Sequence, residues 1–389
     1  MWPKSNIMSN RPLKIVYCTP SLYIAGGVER VLTKKVNYFA EHFGYDITII
    51  LTDGKGKPNA YPLSPKVKVV NLEVGFEELW NCSFLKKVFL YLRKQRIYKK
   101  RLTETLMQLR PDITDSLLRR EINFITDIKD GSKKIGELHV NRANYRNFEA
   151  NETNWLKEQF SRWWMKGLLK KLRKLDRFVV LTNEDKTAWK ELDNVVAIHN
   201  PVSFDDVPQS PLTEKRVVAV GRYAYQKGFD MLLQAWKQVE ERCPDWQLDV
   251  FGDGDRTPYE QQIDQLGIDR KRCRLNTPTQ NIQQEYINSS VFVVSSRFEG
   301  LSMAMLEAVA CGLPLVSFTC PCGPLDVITD GENGLLVENG NVNQLTEKLI
   351  YMIEHPEDRL RMGEAARQRA DAFRIENLAK EWQQLFESL

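Results

Sequence analysis

Two glutamates, Glu299 and Glu307, stand eight residues apart in the most chemically loaded stretch of this sequence, VFVVSSRFEGLSMAMLEAVACG over residues 291–312. Val291–Ser295 reads as a short buried strand, and a helix is expected over Ser302–Cys311. Between them, Arg297-Phe298-Glu299-Gly300 forms a loop. The backbone N–H groups of Leu301 to Ala304 would then lack intrahelical acceptors at the positive end of a helix, a setting suited to a diphosphate. Glu299 sits in the loop, where a carboxylate can accept bonds from sugar hydroxyls. Glu307 follows about two turns along the helix. One segment can therefore offer a carboxylate to each end of a nucleotide sugar, although either glutamate alone reads as an ordinary loop or surface residue.

A second group supplies positive charge. Gly221-Arg222 ends the strand Arg216–Val220, and Lys227-Gly228 follows five residues later. These two cations can converge on one diphosphate and stabilise its charge as it departs, without a metal. Gly252-Asp253-Gly254-Asp255 follows the strand Leu248–Phe251. Its D-x-D could hold a divalent ion, but directly after a strand the preferred reading is a turn to which Gly252 and Gly254 lend backbone freedom. The segment Leu275–Thr279, which includes Pro278, is expected to stack on a base. In the first half, Gly26-Gly27 follows the strand Lys14–Cys18 and opens a helix over Val28–His42; it fits a phosphate- or sugar-facing loop and a plain tight turn equally. His139 reads as a strand residue and Asn200, before Pro201, as a turn asparagine.

These residues need strand ends to hold them. Lys14–Cys18, Ile47–Leu51 and Val67–Leu72 alternate with helical patterns, and the alternation restarts after residue 200 with Arg216–Val220, the helix Phe229–Glu240, Leu248–Phe251, Val291–Ser295 and Pro314–Phe318. Such alternation predicts an α/β fold of two Rossmann-like, doubly wound parallel sheets with ligand loops at the C-terminal strand ends. The prolines of His199–Pro211 mark the expected boundary. The N-terminal domain is then residues 1–200, completed by a C-terminal helix over 375–389, and the second domain is 201–374.

The spacing Glu299 to Glu307, followed by Ala308, by Ala310-Cys311-Gly312-Leu313-Pro314 and by Gly331-Glu332-Asn333-Gly334-Leu335-Leu336-Val337, resembles the E-x7-E motif of the retaining GT-B glycosyltransferases (family 4-like) that build bacterial capsule, O-antigen and lipid-linked glycans. The likeness covers residues 215–389 and is thinner over 1–200. It implies a GT-B fold whose domains face a cleft. By the same likeness Glu299 approaches the donor sugar hydroxyls and Glu307 holds the ribose hydroxyls. Gly300, Leu301 and Ser302 grip diphosphate and sugar, while Gly221, Arg222 and Lys227 form the diphosphate clamp. Gly252, Gly254 and Pro278 lie near the nucleotide, and His139 lies near the donor sugar. Gly26 and Gly27 border the cleft, and Asn200 shapes the acceptor side. The implied reaction is retaining transfer from a nucleoside diphosphate sugar, UDP-linked, to a glycan or lipid-linked acceptor, with no metal or other cofactor. No enzyme nucleophile falls on the matched motif, so departure and attack on one face are expected.

Composition narrows the setting. The chain has 389 residues, seven cysteines and a formal charge of +4. The odd cysteine count without framework spacing points to reduced thiols, and Cys320-x-Cys322 lacks the further ligands of a zinc site. No stretch approaches the roughly 18 apolar residues of a membrane span, and the leading MWPKSNIMSN lacks a signal core, so a cytoplasmic protein with a loose N-terminal tail is expected. The positive charge is concentrated in residues 1–200; residues 201–389 are net acidic. Lys86 to Arg101 holds eight Lys/Arg and no acid, and Phe160 to Arg177 mixes Trp163-Trp164 with lysines. Both suit peripheral docking on the anionic inner face of the cell membrane. Nucleic acid is not expected, since no recognition motif accompanies the charge. A nicotinamide enzyme would need G-x-G-x-x-G where only Gly26-Gly27 stands, though Asp53 is suitably placed. The same two-domain plan would also serve a sugar-nucleotide epimerase or a non-catalytic, sugar-nucleotide-binding membrane scaffold.

Overall fold

The computed structural model describes residues 11–79, 83–142, 145 and 155–389; for residues 84, 85, 155–158, 160 and 161 it describes the backbone. The expected N-terminal tail lies outside these. The chain divides into two compact units, one comprising 1–198 with 378–389 and the other 199–377.

In the first unit seven parallel strands, β1 (Lys14–Thr19), β2 (Asp46–Leu51), β3 (Lys68–Asn71), β4 (Ile113–Ser116), β5 (Lys133–Leu138), β6 (Arg177–Val180) and β7 (Val195–Ala197), pair in the order β3-β2-β1-β4-β5-β6-β7. Ile47, Ile49, Ile50 and Ile15 are fully buried, as expected for strands covered on both faces. One face carries α1 (Gly27–Tyr38), whose Leu32 and Val36 share a core with Ala379, Trp382 and Phe386 of the last helix, Ile375–Glu387. The other carries α2 (Phe84–Leu109), which buries Tyr98, Leu102 and Leu106 against Phe124 and Ile125. Towards β6, α3 (Trp155–Leu172) and α4 (Asn183–Ala188) enclose Leu168, Leu172, Phe178 and Trp189. The helix begun at α1 continues as a π-helical turn over Phe39–Phe43, ended by Gly44 in the left-handed region.

The second unit has six parallel strands: β8 (Arg216–Val220), β9 (Gln247–Phe251), β10 (Cys273–Asn276), β11 (Val291–Val294), β12 (Leu315–Phe318) and β13 (Gly334–Val337). Their order is β10-β9-β8-β11-β12-β13. The connecting helices are α5 (Phe229–Arg242), α6 (Thr257–Leu266), α7 (Ile282–Ile287), α8 (Met303–Ala310), α9 (Pro324–Val327), α10 (Val342–Glu354) and α11 (Pro356–Arg369); Ile375–Glu387 is α12. The core follows the apolar stripe of α5, with Leu232, Ala235, Trp236 and Val239 set against Leu345, Leu349 and Met352 of α10. After β8 the chain runs to β9 and β10 on one side, then returns to β11 on the other. The β8–β11 junction is therefore a topological switch point, where ligands of open α/β sheets bind beyond the strand C-termini.

Candidate active site

That switch point gathers most of the residues the sequence singles out. Beyond β8 the chain turns through Gly221-Arg222 into a 3-10 turn, Tyr225–Lys227, and Gly228 at φ +62° starts α5. Gly228 has no room for a side chain, because a Cβ there would sit 2.0 Å from the Ser295 carbonyl oxygen. Gly252 is held just as closely, its Cβ position falling 1.8 Å from the Gly221 oxygen. These contacts press the loop after β8 against the ends of both neighbouring strands. Ser295 Oγ donates to the Lys227 carbonyl at 2.9 Å, which fixes where that lysine begins.

The Lys227 ammonium donates to Glu299 Oε1 at 2.7 Å, and Ser296 Oγ donates to the same oxygen at 2.6 Å. Glu299 is 5% exposed, so its charge is held mainly by protein donors in a poorly solvated place. Lys227 therefore leans across Gly221 towards Glu299, whereas Arg222 is exposed and has no ion-pair partner among the described residues. The two cations expected to converge are thus distinct: one is preorganised and partly buried, the other is free to swing.

The Glu299 loop is pinned from outside by groups that sequence spacing does not show. Arg297 makes a two-pronged bond to Asp230 at 2.8 and 2.6 Å, donates to the Tyr225 carbonyl at 2.8 Å and lies 4.0 Å over the Tyr225 ring. Gln226 Nε2 donates to the Phe298 carbonyl at 3.1 Å. The loops carrying Lys227 and Glu299 therefore move as one piece. Gly300, Leu301 and Ser302 lead into α8, whose N-terminus carries no side-chain cap. Glu307, in the second turn of α8, is buried rather than on a surface, and it accepts the Tyr286 hydroxyl at 3.0 Å. Tyr286 is itself fully buried at the end of α7.

Gly252 and Gly254 follow β9. Asp253 accepts the Gly254 amide at 2.8 Å and Asp255 accepts the Thr257 amide at 2.9 Å, so each carboxylate serves its own turn. Pro278 is exposed beyond β10, the edge strand, and Tyr223 ties that end to the site by donating to the Asn276 carbonyl at 2.9 Å. Asn200 is buried where the chain enters this unit, next to His199, whose Nε2 lies 3.2 Å from Asp326.

Gly26, Gly27 and His139 belong to the first unit. Gly26 caps α1 in extended backbone at φ −99°, and a Cβ there would meet only the Glu29 carboxylate at the end of its flexible side chain, so no left-handed conformation requires this glycine. His139 lies just past the end of β5 rather than within it. It borders a cavity of about 450 Å³ at the C-terminal ends of β1, β2, β4 and β5.

The basic stretch on α2 is less open than its composition suggests. Lys94 is buried, its ammonium on the Val74 carbonyl at 2.7 Å, and Arg101 donates to the Leu72 and Glu73 carbonyls. Lys86, Lys87 and Arg93 are exposed, beside Phe89 at 69% exposure. On α3, Trp163 is also 69% exposed, next to Lys166 and Lys170 at the rim of a shallow groove. Both helices flank the segment Arg119–Asp127: Tyr98 packs edge-on to Phe124, and Lys171 donates to Asn123. The side chain of Phe160 lies outside the described residues. No helix among the described residues is long and apolar enough to cross a membrane.

Residues 203–369 match the family model of glycosyl transferases group 1. The match lies within the C-terminal unit. Among curated proteins, the chain is 30% identical over 213 residues to an uncharacterized glycosyltransferase of Haemophilus influenzae and 31% identical over 220 residues to the amylovoran biosynthesis glycosyltransferase AmsD of Erwinia amylovora. Each match covers 53% of this chain and spans 60% and 61%, respectively, of the relative's length. A TarM mutant of S. aureus, solved with fondaparinux, alpha-GlcNAc-glycerol and UDP, is similar over 96% of this chain and 99% of its own, with a TM-score of 0.73 at 17% identity. Likeness at that identity speaks for the fold, and the fold is GT-B.

Proposed function

We propose that this protein is a retaining glycosyltransferase that moves a sugar from a nucleoside diphosphate, UDP, to a hydroxyl of a cell-surface glycan or its lipid-linked precursor. The observation that carries this reading is the partly buried Lys227–Glu299 pair at the switch point of the C-terminal unit. On this reading the cation meets the departing diphosphate and the carboxylate meets sugar hydroxyls. Arg222 closes on the phosphates, the open N-terminus of α8 adds backbone N–H groups, and Glu307 receives the ribose hydroxyls. In the reaction the anomeric carbon–oxygen bond to the diphosphate breaks as the acceptor oxygen bonds on the same face, and the acceptor proton passes to the departing phosphate. Lys227 and Arg222 stabilise charge that grows along this path, which is where fixed cations lower a barrier. The presence of UDP in the TarM complex and the biosynthetic role in AmsD's name support the choice of donor and setting.

In a thermal-shift panel, UDP-sugars are expected to raise Tm, with the shift unchanged by EDTA. A strict metal requirement would move the weight to Asp253 and Asp255, and full activity in Glu299→Gln would overturn the reading.

The acceptor reading includes cytoplasmic docking on an anionic membrane through α2 and α3. Phe89 and Trp163 would insert while Lys86, Lys87, Arg93, Lys166 and Lys170 meet headgroups. Sedimentation with phosphatidylglycerol vesicles is expected to exceed that with phosphatidylcholine and to fall with salt. Replacing Phe89 and Trp163 by alanine should weaken partitioning by roughly tenfold or more, from the apolar area withdrawn. Equal binding to both vesicle types would refute the docking surface.

A further inference from the structure

Behind His139 lies a charge cluster in the core of the N-terminal unit. Lys35 of α1 and Glu137 of β5 form an ion pair, each side chain 3% exposed. The Lys35 ammonium also sits 4.0 Å over the Trp382 ring and 5.0 Å over that of Tyr17. Asp115 of β4 is completely buried beside Glu137, and neither of its oxygens has a donor among the described residues. A buried carboxyl so placed is easiest to hold as the acid, in which form it donates to Glu137. Burial, and then the charge of Glu137, push its pKa well above the usual range. Burial alone would also raise Glu137, but Lys35, His139 and Asp115 outweigh it and hold Glu137 ionised. Glu137 is thus a carboxylate encircled by donors.

His139 is the remaining neighbour. Its side chain is 7% exposed, its Nε2 lies 3.4 Å from Glu137 Oε2, and neither ring nitrogen has an aligned hydrogen-bond partner among the described residues. The ring borders the 450 Å³ cavity, whose other polar walls are engaged elsewhere. Arg120 pairs with Asp53 at 3.6 Å, Tyr23 and Lys57 with Glu77, and Tyr145 donates to the Leu118 carbonyl. Arg119 also lines the cavity. On the core side the ring and Glu137 are faced by Lys35, Asp115 and Tyr17.

We propose that Glu137, clamped by Lys35 and Asp115, positions His139 by accepting its Nε2–H, which leaves the buried Nδ1 as the ring's acceptor and fixes how the ring borders a sugar bound in the adjoining cavity. This rests on the glycosyl-transfer reading for the identity of the sugar; the tautomer itself does not. Neutral imidazole carries one N–H, and a carboxylate on one nitrogen decides which, leaving the other as an acceptor. Lys35, Glu137 and Asp115 act as positioning residues.

The test is histidine 15N NMR on the full chain, which has only four histidines; His139→Gln assigns the signal. The Nε2–H tautomer is expected to dominate in the unaltered protein at neutral pH. Because Glu137→Gln alone would strand a buried ammonium, the informative variant is the double Lys35→Met/Glu137→Gln, with folding checked by thermal melting. Its tautomer ratio should shift by about tenfold or more, the worth of a hydrogen bond to a charged group. With a UDP-sugar donor, His139→Gln and the double variant should lose kcat by similar factors, and combining them should cost little more. A dominant Nδ1–H tautomer, or a ratio unchanged in the double variant, would overturn the proposal. A chain that shows the tautomer shift but turns over no nucleotide sugar would refute the transferase reading and leave the positioning role standing.

Discussion

Replacing Lys227 with methionine is expected to lower kcat for glycosyl transfer by about 10²–10³-fold, with a much smaller change in KM for the donor. Methionine keeps the apolar stem that lies across Gly221, so the loop need not repack. What disappears is a cation fixed at both ends, by Ser295 on its own carbonyl and by Glu299 on its ammonium. On the proposed reading the ammonium is shared with Glu299 before reaction; as the sugar–phosphate bond breaks, charge would gather on the diphosphate and draw more from the same cation. An interaction that strengthens along the path appears in kcat. Arg222→Met offers the contrast. That guanidinium is exposed and must be recruited from solvent, so its loss should fall more evenly on KM and kcat. Steady-state kinetics over a range of donor concentrations separate the two. A Lys227→Met effect below tenfold, or one confined to KM, would mean that leaving-group charge is stabilised elsewhere.

The strands that carry the candidate site are legible in the sequence for a physical reason. In the C-terminal unit each strand is a short apolar run followed at once by its loop, so Val291–Val294 announces the loop of Glu299 and Arg216–Val220 that of Lys227. The N-terminal sheet hides its middle. β4 reads Ile-Thr-Asp-Ser, and β5 carries Glu137 at a fully covered position, so polarity masks strands that are as buried as any. Their polar residues are stabilised by partners far along the chain, Lys35 and Glu137 being 102 residues apart, and local spacing holds no trace of such pairs. The same holds for Arg297 with Asp230, 67 residues apart, and for Tyr286 with Glu307. Lys94 was legible only as part of a basic run, because its carbonyl partner, Val74, comes from another element.

Glu137→Gln is the substitution expected to damage the fold most. It removes the counter-charge of an ammonium that has almost no access to water, and stranding a buried ion in this way costs about 3–5 kcal/mol. That is a large share of the roughly 5–15 kcal/mol that holds a domain folded. The aromatic faces of Trp382 and Tyr17 soften the loss without replacing a carboxylate. Adding Lys35→Met withdraws the stranded charge and should recover most of the stability, because two uncharged groups of similar volume suit an apolar core about as well as an ion pair does. The pH dependence has a definite sign. The folded pKa of Glu137 is lowered, so its contribution is complete above the unfolded value of about 4.3 and is lost as pH falls from there. The stability gap between the unaltered protein and Glu137→Gln should therefore be widest near neutrality and close in acid. Asp115 runs the other way: its folded pKa is raised, so the native state is penalised as pH climbs above about 3.9. Asp115→Asn, whose amide can donate to Glu137 at any pH, should then gain on the unaltered protein towards neutral pH. Urea titrations from pH 2 to 8, read by amide hydrogen exchange in β4 and β5 so that the N-terminal unit is followed by itself, would check all three. A Glu137→Gln variant as stable as its parent at neutral pH would show that Lys35 is solvated or neutral in the folded protein, and the clamp on His139 would lose its charge.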